Sequence, residues 1–246
     1  MGAAPPGAEG PRQASRAVRE MFTAIAPRYD LLNHVLSCNI DRLWWARTAR
    51  AFAGILNDPD ARVLDLCCGT GDMAFALAAR RPGDGVAIRG VDFSHAMLRR
   101  AQAKTRNDRM LWIEADALTL PFPDASFDLV TSAFGFRNLA DYDAGLREIA
   151  RVLRPGGEVG ILDFGMPRGI VGHIYRLYFR RVLPLLGTVI SGVRGPYGYL
   201  PASVQRFPNP PEMLQRMRRA GFLDPSWTSY TLGIAGLYRG KRSATV

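Results

Sequence analysis

Residues 63–72 read Val63-Leu64-Asp65-Leu66-Cys67-Cys68-Gly69-Thr70-Gly71-Asp72, and an acid, Asp92, ends the next apolar run of the chain. This order predicts a buried strand, a glycine turn and the start of a helix, followed by a second strand that ends in a carboxylate. Gly69 and Gly71 permit a sharp turn and a close approach of the backbone to a ligand, because neither residue has a Cβ. A carboxylate about twenty residues beyond the glycines is placed to bind the hydroxyls of a ribose. The segment therefore predicts a nucleoside site.

Two nucleoside cofactors compete for this site. Residues 69–74 match the G-x-G-x-x-[GA] fingerprint of dinucleotide-binding proteins. In those proteins the helix N-terminus meets a pyrophosphate, so an acid such as Asp72 is unfavourable beside the phosphates. Two carboxylates around the turn, Asp65 and Asp72, instead suit a ligand that carries an ammonium and a sulfonium, which is S-adenosylmethionine. A third alternative for this segment alone is a glycine turn that binds no ligand and whose acidic side chains face solvent.

Length and composition indicate one sizeable α/β domain. The chain has 246 residues, of which 48% are hydrophobic and 22% are charged, as in ordinary globular proteins. It has three cysteines but neither a C-x-x-C pair nor a cluster of Cys and His ligands, so we expect no disulfide framework and no metal site. Residues 1–15, rich in Ala, Pro and Gly, predict a disordered tail without the pattern of a secretory signal.

Alternating strand and helix patterns predict a parallel sheet with helices on both faces. The predicted strands are Val63–Cys67, Val86–Val91, Met110–Glu114, Phe127–Ala133, Glu158–Asp163, Phe222–Thr231 and Gly233–Tyr238. The predicted helices include Met73–Ala79, Ser94–Thr105 with Ser94 as N-cap, Ala144–Leu153, and Pro211–Ala220 with Asn209 as N-cap. Residues 154–157 predict a turn. This pattern is typical of the class I methyltransferase sheet, Rossmann-like with seven strands, mostly parallel with one antiparallel strand. We expect a single domain over residues 16–246, with helical cap elements at about 16–53 and 167–207.

Two later segments favour S-adenosylmethionine over a dinucleotide. Asp116 follows the third predicted strand, where it is placed to accept a hydrogen bond from the adenine amino group. Residues 120–128 then lead into the fourth strand in a register typical of methyltransferases. At the end of that strand, neither an acid or Asn before Pro-Pro-aromatic nor a Pro-Cys dipeptide occurs. Those motifs are typical of methylation of nucleic-acid bases, so their absence argues against a nucleic-acid substrate.

The positive charge of the chain is uneven. Residues 147–246 supply all of the net charge of +10, whereas the charges of residues 1–146 cancel. Such asymmetry predicts an anionic partner, either nucleic acid or anionic lipid, with arginine-rich codon usage as the alternative cause. The longest apolar run, residues 182–193, is shorter than the roughly 20 residues of a spanning helix. We expect a cytoplasmic protein, leaving open a peripheral position at the inner face of the membrane and a homo-oligomer.

On these motifs the chain resembles the ubiquinone/menaquinone C-methyltransferase family over about residues 18–242. The most specific similarities are the segment from Tyr29 to Ser37 and the segment Phe134-Gly135-Phe136-Arg137-Asn138. The glycine turn and residues 151–157, which many methyltransferases share, agree with the resemblance, as do residues 197–200. Asp41 and Asn39 depart from the pattern of the family, which affects the expected cap rather than the cofactor site.

The resemblance implies C-methylation of a polyprenylated hydroquinone, with demethylmenaquinol preferred, S-adenosylmethionine as methyl donor and no metal. The implied cofactor site includes the residues already predicted from their spacing and several more. Its residues are Asp65, Gly69, Thr70, Gly71, Asp92, Asp116, Ala117 and Ala133. Many members carry serine at position 133, so Ser132 or a water would replace that contact. Arg137 is implied to stabilise a phenolate or to orient a water that acts as base. The implied orienting residues are Tyr29, Asn138 and Tyr199.

The same resemblance predicts how the protein contacts a membrane. Arginines around apolar residues predict an amphipathic cap that rests on anionic headgroups and receives the isoprenoid tail; they are Arg176, Arg180, Arg181 and Arg194. A solvated basic helix with an inner apolar face is an equal alternative. Two other functions stay open: a methyltransferase of another small molecule or of tRNA, and a non-catalytic nucleoside-binding subunit of a quinone-synthesis complex.

Overall fold

A seven-stranded sheet in the order β3-β2-β1-β4-β5-β7-β6 forms the centre of the computed structural model. The structure describes residues 2, 3, 5, 7–30, 37, 39–106, 108–167, 169–178, 181 and 196–244. The strands are β1 (Val63–Leu66), β2 (Ile88–Asp92), β3 (Met110–Glu114), β4 (Phe127–Ala133), β5 (Leu153–Phe164), β6 (Phe222–Tyr230) and β7 (Ala235–Arg242).

Strands β1 to β5 pair in parallel, and β7 is antiparallel to both β5 and β6. This confirms the predicted sheet of seven strands, mostly parallel with one antiparallel strand. The chain proceeds outward from β1 to β3 on one side and from β4 to β5 on the other, where β7 lies between β5 and the edge strand β6. The order therefore reverses between β1 and β4, where open α/β sheets bind ligands beyond the carboxyl ends of their strands.

Helices cover both faces of this sheet. They are α1 (Pro11–Ile25), α2 (Ile40–Ala51), α3 (Ala53–Leu56), α4 (Asp72–Ala78), α5 (His95–Lys104), α6 (Tyr142–Val152), α7 (Gly169–Leu177), α8 (Pro196–Arg206) and α9 (Pro210–Arg219). Short 3-10 segments lie at Ala26–Arg28, Phe136–Asn138 and Thr231–Gly233. Helix α1 begins at Pro11, ahead of the domain boundary expected at residue 16, and the Ala3 N–H donates to the Leu139 carbonyl over 2.7 Å.

The core consists of two layers, one on each face of the sheet. Leu64 and Leu66 of β1 pack with residues of α6 and α9, whereas Val63 packs on the other face with α2 and α4. All four residues of β1 are buried, as expected for a parallel strand covered on both faces. This alternation turns Asp65 toward the same face as Val63.

Several boundaries differ from the predictions for identifiable reasons. Strand β1 ends at Leu66 because Cys67 has φ of 54°, outside the range of a strand. Strand β5 begins at Leu153 and includes residues 154–157, for which a turn was predicted. There, Gly156 has φ of 77°, and the pairing with β4 shifts register between Phe127 and Leu129, so the strand continues through an irregularity.

The two predicted helix caps have different outcomes. Asn209 is confirmed as the N-cap of α9, because its Oδ1 accepts from the Glu212 N–H at 3.1 Å. Ser94 precedes α5 but makes no side-chain cap. Its hydroxyl instead lies 3.2 Å from Thr23 Oγ1 of α1.

Parts of the predicted cap lie outside the described residues. These parts are residues 31–36, 38, 168, 179, 180 and 182–195, which include Arg180, Arg194 and the apolar run 182–193. In the described portion of the chain, no helix combines the length and hydropathy needed to cross a bilayer.

Candidate active site

A cavity of about 510 Å³ opens beyond the carboxyl ends of β1, β2 and β4. Its position is the one at which the strand order reverses. It brings together most of the residues that the sequence predicted for the site: Tyr29, Asp65, Gly69, Thr70, Asp92, Asp116, Ala117, Ala133, Arg137, Asn138 and Tyr199. These residues come from six separate segments of the chain, so the fold is what assembles them.

The two glycines of the turn have different roles. A Cβ added at Gly69 would have Tyr29 Cε1 as its nearest neighbour, at 3.9 Å. Gly69 thus leaves open space on the side that faces the cavity. Gly71 is the one predicted cofactor residue that does not line the cavity. Its φ is 89°, and an added Cβ would lie 2.5 Å from Cη2 of Trp112. Packing beneath the turn therefore accounts for this second glycine.

Asp65 is a fully buried carboxyl group at the floor of the cavity. Its Oδ1 accepts from Thr131 Oγ1 at 2.8 Å, and its Oδ2 has no hydrogen-bond partner among the described residues. Burial raises the pKa of Asp65 to about 7, although the hydrogen bond from Thr131 and, to a smaller extent, the backbone N–H of Ala74 favour the ionised form. A buried acceptor without a partner is costly, and a donor or cation in the cavity would satisfy it.

Asp92 connects the end of β2 to the glycine turn. Its Oδ2 accepts from the Gly69 N–H and its Oδ1 from the Ser94 N–H, both at 2.9 Å. Burial raises the pKa of Asp92 to about 6, and these backbone hydrogen bonds act in the opposite direction. Each carboxylate oxygen can accept more than one hydrogen bond, so Asp92 can also bind hydroxyls from the cavity side.

Asp72 lines the cavity, but its carboxylate also forms a salt bridge with a lysine of the protein. Lys104 Nζ lies 2.8 Å from Asp72 Oδ1 and 3.2 Å from Asp30 Oδ2. The Thr70 hydroxyl donates to Asp30 Oδ1 at 2.5 Å. From the sequence, Asp65 and Asp72 were both expected to face a cationic ligand. The structure separates them, because Asp72 already has a salt bridge and Asp65 has none among the described residues.

The adenine end of the predicted site is formed by the loop after β3. Ala115, Asp116, Ala117 and Leu118 line the cavity there, with Phe93 beside them. Asp116 Oδ1 accepts from the Leu118 N–H at 2.9 Å. That bond fixes the carboxylate of Asp116 on its own loop, beside apolar side chains that suit the faces of a purine ring.

Arg137 is held by an ion pair that the sequence analysis missed. Its Nη1 lies 2.9 Å from Asp163 Oδ1 and also donates to the Phe134 carbonyl. Asp163 Oδ2 accepts from the Arg137 N–H at 3.1 Å. Asp163 lies near the end of β5, beside the end of β4. The available signal was an acid at the end of the predicted fifth strand, one strand away from Arg137.

The predicted orienting residues fall into two groups. The Tyr199 hydroxyl donates to Asn138 Oδ1 at 3.2 Å, so these two side chains are in contact near Arg137. Tyr29 instead lies beside the glycine turn, where its Cε1 is 3.9 Å from the position of a Cβ added at Gly69. Ala133 lines the cavity, whereas the neighbouring Ser132 is buried and does not. The Ser132 hydroxyl therefore does not reach the cavity in place of a serine at position 133.

Aromatic side chains form the end of the cavity opposite the acids. The rings of Trp44, Phe134 and Phe164 contact one another, with centroid separations of 4.5 to 6.2 Å. Tyr175 and Tyr178 of the α7 segment complete this region. The cavity thus has a carboxylate-rich end and an aromatic end, and residues 134–138 lie between them.

The model of the ubiE/COQ5 methyltransferase family matches residues 11–242. The chain belongs to this family. The resemblance found in the sequence is thereby confirmed, and so is the expectation of a methyltransferase.

Named members of the ubiE/COQ5 family are similar along nearly their whole length. The chain is 49% identical to the demethylmenaquinone methyltransferase of Deinococcus radiodurans over 230 residues, which are 92% of this chain and 93% of that protein. It is also 49% identical to the demethylmenaquinone methyltransferase of Thermus thermophilus, with 90% and 100% covered. The ubiquinone/menaquinone biosynthesis C-methyltransferase UbiE of Geotalea daltonii is 43% identical, with 92% and 96% covered.

Solved structures support the fold expected for the ubiE/COQ5 family. A SAM-dependent methyltransferase from Thermotoga maritima, described as a possible histamine N-methyltransferase, has a TM-score of 0.64 at 19% identity, with 91% of this chain and 99% of that chain covered. The [4+2]-cyclase SpnF has a TM-score of 0.66 at 18% identity, with 98% and 99% covered. At such identities the likeness concerns the fold alone, which is that of class I S-adenosylmethionine-dependent methyltransferases.

Proposed function

We propose that this member of the ubiE/COQ5 family methylates a ring carbon of a polyprenylated naphthohydroquinone, converting demethylmenaquinol to menaquinol with S-adenosylmethionine as methyl donor. The observation that carries the proposal is the cavity with a carboxylate-rich end and an aromatic end, joined at the buried guanidinium of Arg137. The names of the two relatives at 49% identity support the choice of a naphthoquinol.

The carboxylate-rich end fits the donor. Asp92 suits the ribose hydroxyls, and Asp116 and Ala117 suit the adenine. Asp65 Oδ2, which accepts no hydrogen bond from the described part of the chain, suits the ammonium group. Gly69, Thr70 and Ala133 line the space between them. When bound, S-adenosylmethionine supplies an electrophilic methyl group on a positively charged sulfur. The protein therefore needs to position the acceptor and manage its proton.

The acceptor requires activation because a neutral quinol carbon is a poor nucleophile. Removal of a phenolic proton places negative charge on the ortho carbon, which then attacks the methyl group of the donor. The new carbon–carbon bond forms as the sulfur–methyl bond breaks, and the electron pair of that bond stays on the sulfur of the leaving thioether. The ring proton at the methylated carbon then passes to water, which restores the aromatic ring. Arg137 has no lone pair to act as base, but its buried positive charge stabilises a phenolate. A water held near Asn138 and Tyr199 takes the phenolic proton. Position, electrostatics and exclusion of bulk water are the contributions of the chain.

The long tail of such a substrate resides in a membrane, so the proposed function includes a position of the enzyme at the cytoplasmic face of a bilayer. Of the arginines predicted to contact headgroups, Arg181 is exposed and Arg176 is half-buried. A basic surface of this kind is attracted to anionic lipid. Peripheral attachment therefore belongs to the proposed function.

Turnover of short-tail demethylated quinols tests the proposal. Reduced naphthoquinol and benzoquinol analogues are incubated anaerobically with the protein and methyl-labelled donor, and products are identified by mass spectrometry. We expect a C-methylated naphthoquinol. Preferred methylation of the benzoquinol would assign the ubiquinone reaction instead. Donor binding without turnover of either analogue would contradict the proposed activity and favour a non-catalytic subunit.

The variant Arg137→Lys tests the role of the guanidinium. A lysine keeps the charge but loses the planar guanidinium, whose Nη1 contacts both Asp163 Oδ1 and the Phe134 carbonyl, so we expect turnover to fall sharply while donor affinity stays near that of the wild type. Arg147→Lys, on the exposed face of α6, is the matched control. Unchanged turnover in Arg137→Lys would remove Arg137 from the mechanism.

A further inference from the structure

Three chain segments meet at the aromatic end of the cavity, and each exposes a large apolar side chain. Leu43 of α2 is 69% exposed, Ile170 of α7 is 81% exposed, and Leu232 in the turn between β6 and β7 is 76% exposed. We call these three residues the apolar rim. Large apolar side chains that are exposed together, rather than scattered singly, mark interaction surfaces.

Direct contacts hold the three segments together. Trp44 Nε1, next to Leu43, donates to Thr231 Oγ1 at 2.8 Å, next to Leu232. The Arg47 guanidinium lies 4.2 Å from the ring centroid of Tyr230. On the other side of the turn, the Gly165 N–H donates to the Ile234 carbonyl at 2.9 Å, which brings the chain that leads into α7 beside Leu232.

Neighbours of the apolar rim line the cavity. Ile40 and Trp44 flank Leu43, and Thr231 and Ile234 flank Leu232; all four are cavity residues. On α7, Tyr175 lines the cavity from the same helix that exposes Ile170. The apolar rim therefore lies on the same three segments that form the aromatic end of the cavity.

Leu232 is exposed in a turn whose backbone conformation does not favour leucine. Thr231, Leu232 and Gly233 have φ of 46°, 56° and 92°. Glycine and asparagine adopt this left-handed region more easily than leucine. A leucine at position 232 is unfavourable because of the left-handed backbone and because its apolar side chain is exposed to water. Neither the local backbone nor packing within the described residues therefore explains why a leucine occupies this position.

Exposed charges around the apolar rim are positive. In the described residues of segments 39–47, 165–178 and 229–235, the arginines are Arg42, Arg47 and Arg176, of which the first two are exposed, and His173 is exposed as well. The acid of these segments, Asp41, is buried. Apolar side chains bordered by arginines are complementary to an anionic lipid surface. Two copies of the chain would instead bring like charges together at this surface.

We propose that the apolar rim inserts into an anionic bilayer and directs the aromatic end of the cavity toward the lipid that contains the isoprenoid tail. This inference rests on the proposed function, which provides a membrane-resident substrate. It assigns the lipid contact to the described residues Leu43, Ile170 and Leu232, with Arg42 and Arg47 at the headgroups.

Vesicle flotation with a double variant tests the proposal. Leu43→Asn/Leu232→Asn removes two apolar anchors, and asparagine tolerates the left-handed backbone at position 232. The matched control is Leu223→Asn, because Leu223 is 53% exposed near the other end of β6, about 25 Å away along the strand. Vesicles consist of phosphatidylcholine with or without phosphatidylglycerol, at low and high salt.

We expect the wild type and Leu223→Asn to float with anionic vesicles, less so at high salt. The double variant should partition about tenfold or more weakly, and should lose turnover of a long-tail quinol in vesicles while keeping turnover of a short-tail quinol in solution. Binding that ignores phosphatidylglycerol and salt, or equal flotation of the double variant, would overturn the inference.

Two further results separate the alternatives. If the wild type methylates the short-tail quinol but does not bind anionic vesicles, the docking inference fails and the proposed function stands. If the wild type does not methylate the short-tail quinol, the proposed function itself fails. A dimer in light scattering that the double variant abolishes, without vesicle binding, would assign the apolar rim to a second copy and overturn the lipid assignment.

Discussion

Arg137 and Asp163 form an ion pair whose side chains are 6% and 0% exposed. Removing one partner of such a pair leaves the other charge buried without compensation. For Asp163→Asn we expect the free energy of unfolding in urea to fall by about 3–5 kcal/mol. Because the guanidinium also loses its anchor, kcat on a short-tail quinol should fall more than donor affinity. Asp163 is thus predicted to be a positioning residue that acts through Arg137.

The control for this prediction is Asp124→Asn. Asp124 pairs with Arg151 at 2.7 Å, but its side chain is 73% exposed. Exposed pairs contribute about 0–1 kcal/mol, so this variant should be nearly as stable as the wild type and fully active. Equal losses in the two variants, or a stable Asp163→Asn with normal kcat, would contradict the positioning role.

Asp65 makes the stability of the free protein depend on pH. Burial raises its pKa to about 7, whereas an unfolded Asp titrates near about 4. The folded state therefore holds a proton that the unfolded state releases, and its stabilising effect is present at low pH and is lost as pH rises toward 7. We expect the free energy of unfolding to fall by up to about 3 kcal/mol between pH 5 and 8 through this group.

Asp65→Asn should flatten that dependence, because an amide does not titrate. Asp60→Asn, which changes an exposed acid, should leave the pH profile as it is in the wild type. Urea unfolding at several pH values without donor provides the measurement. A profile for Asp65→Asn that still falls as steeply as that of the wild type would show that Asp65 is not the group responsible. Asp92, whose pKa burial raises to about 6, accounts for a smaller remaining slope.

At the scale of the element, the glycine turn combines a packing requirement with a ligand requirement. In Gly71→Ala the new Cβ would lie 2.5 Å from Trp112 Cη2 at φ of 89°. We expect a loss of about 2–4 kcal/mol in unfolding free energy. In Gly69→Ala the nearest atom would be 3.9 Å away at φ of 54°, so about 1–2 kcal/mol is expected, together with weaker donor binding.

Trp112→Phe in the Gly71→Ala background relieves the steric part of that loss, and it also removes the hydrogen bond that Trp112 Nε1 donates to Thr105 Oγ1. The smaller ring should restore part of the stability and leave the cost of the positive φ. Urea unfolding and donor titration of the three variants provide the measurements. If Gly71→Ala weakened donor binding more than Gly69→Ala did, the assignment of Gly71 to packing and of Gly69 to the ligand would be wrong.

The strands were predictable because the central ones are buried on both faces and appear as continuous apolar runs. Strand β4 spans the residues predicted for it. The start of β5 was not predictable, since residues 154–157 have turn chemistry and extend as a strand only through an irregular pairing with β4. The hydroxyl of Ser94 likewise turns to Thr23 of α1, a residue that sequence proximity does not indicate.

The same limit applies to the site. Spacing from β1 through the glycine turn and α4 to the end of β2 predicted Asp65, Gly69 and Asp92, because consecutive parallel strands bring their carboxyl ends together. It did not predict that Asp163 forms an ion pair with Arg137, or that Lys104 forms a salt bridge with Asp72. Those pairs join residues that only the completed sheet and the packing of α5 place together.

At the scale of the whole molecule, the N-terminal segment covers the cavity and connects its walls. Val18 of α1 packs with Tyr199 of α8, and Ile25 packs with Met97 of α5. Asp30, farther along the same segment, binds Thr70 of the glycine turn. From these contacts we predict that the cavity opens by separation of α1 from its neighbours, without unfolding of the sheet.

Val18→Ala tests whether α1 opens as a separate unit. Val18 is fully buried, and alanine is the better helix former, so any destabilisation arises from lost packing. We expect amide hydrogen exchange in α1 to accelerate about tenfold, exchange in β1 and β4 to stay unchanged, and donor affinity to fall by a similar factor because the closed segment is required for binding. The exposed substitution Ala24→Ser on the same helix should change neither. Equal acceleration in α1 and β1 would mean that α1 belongs to the global folding unit, and the cavity would then have no independent cover.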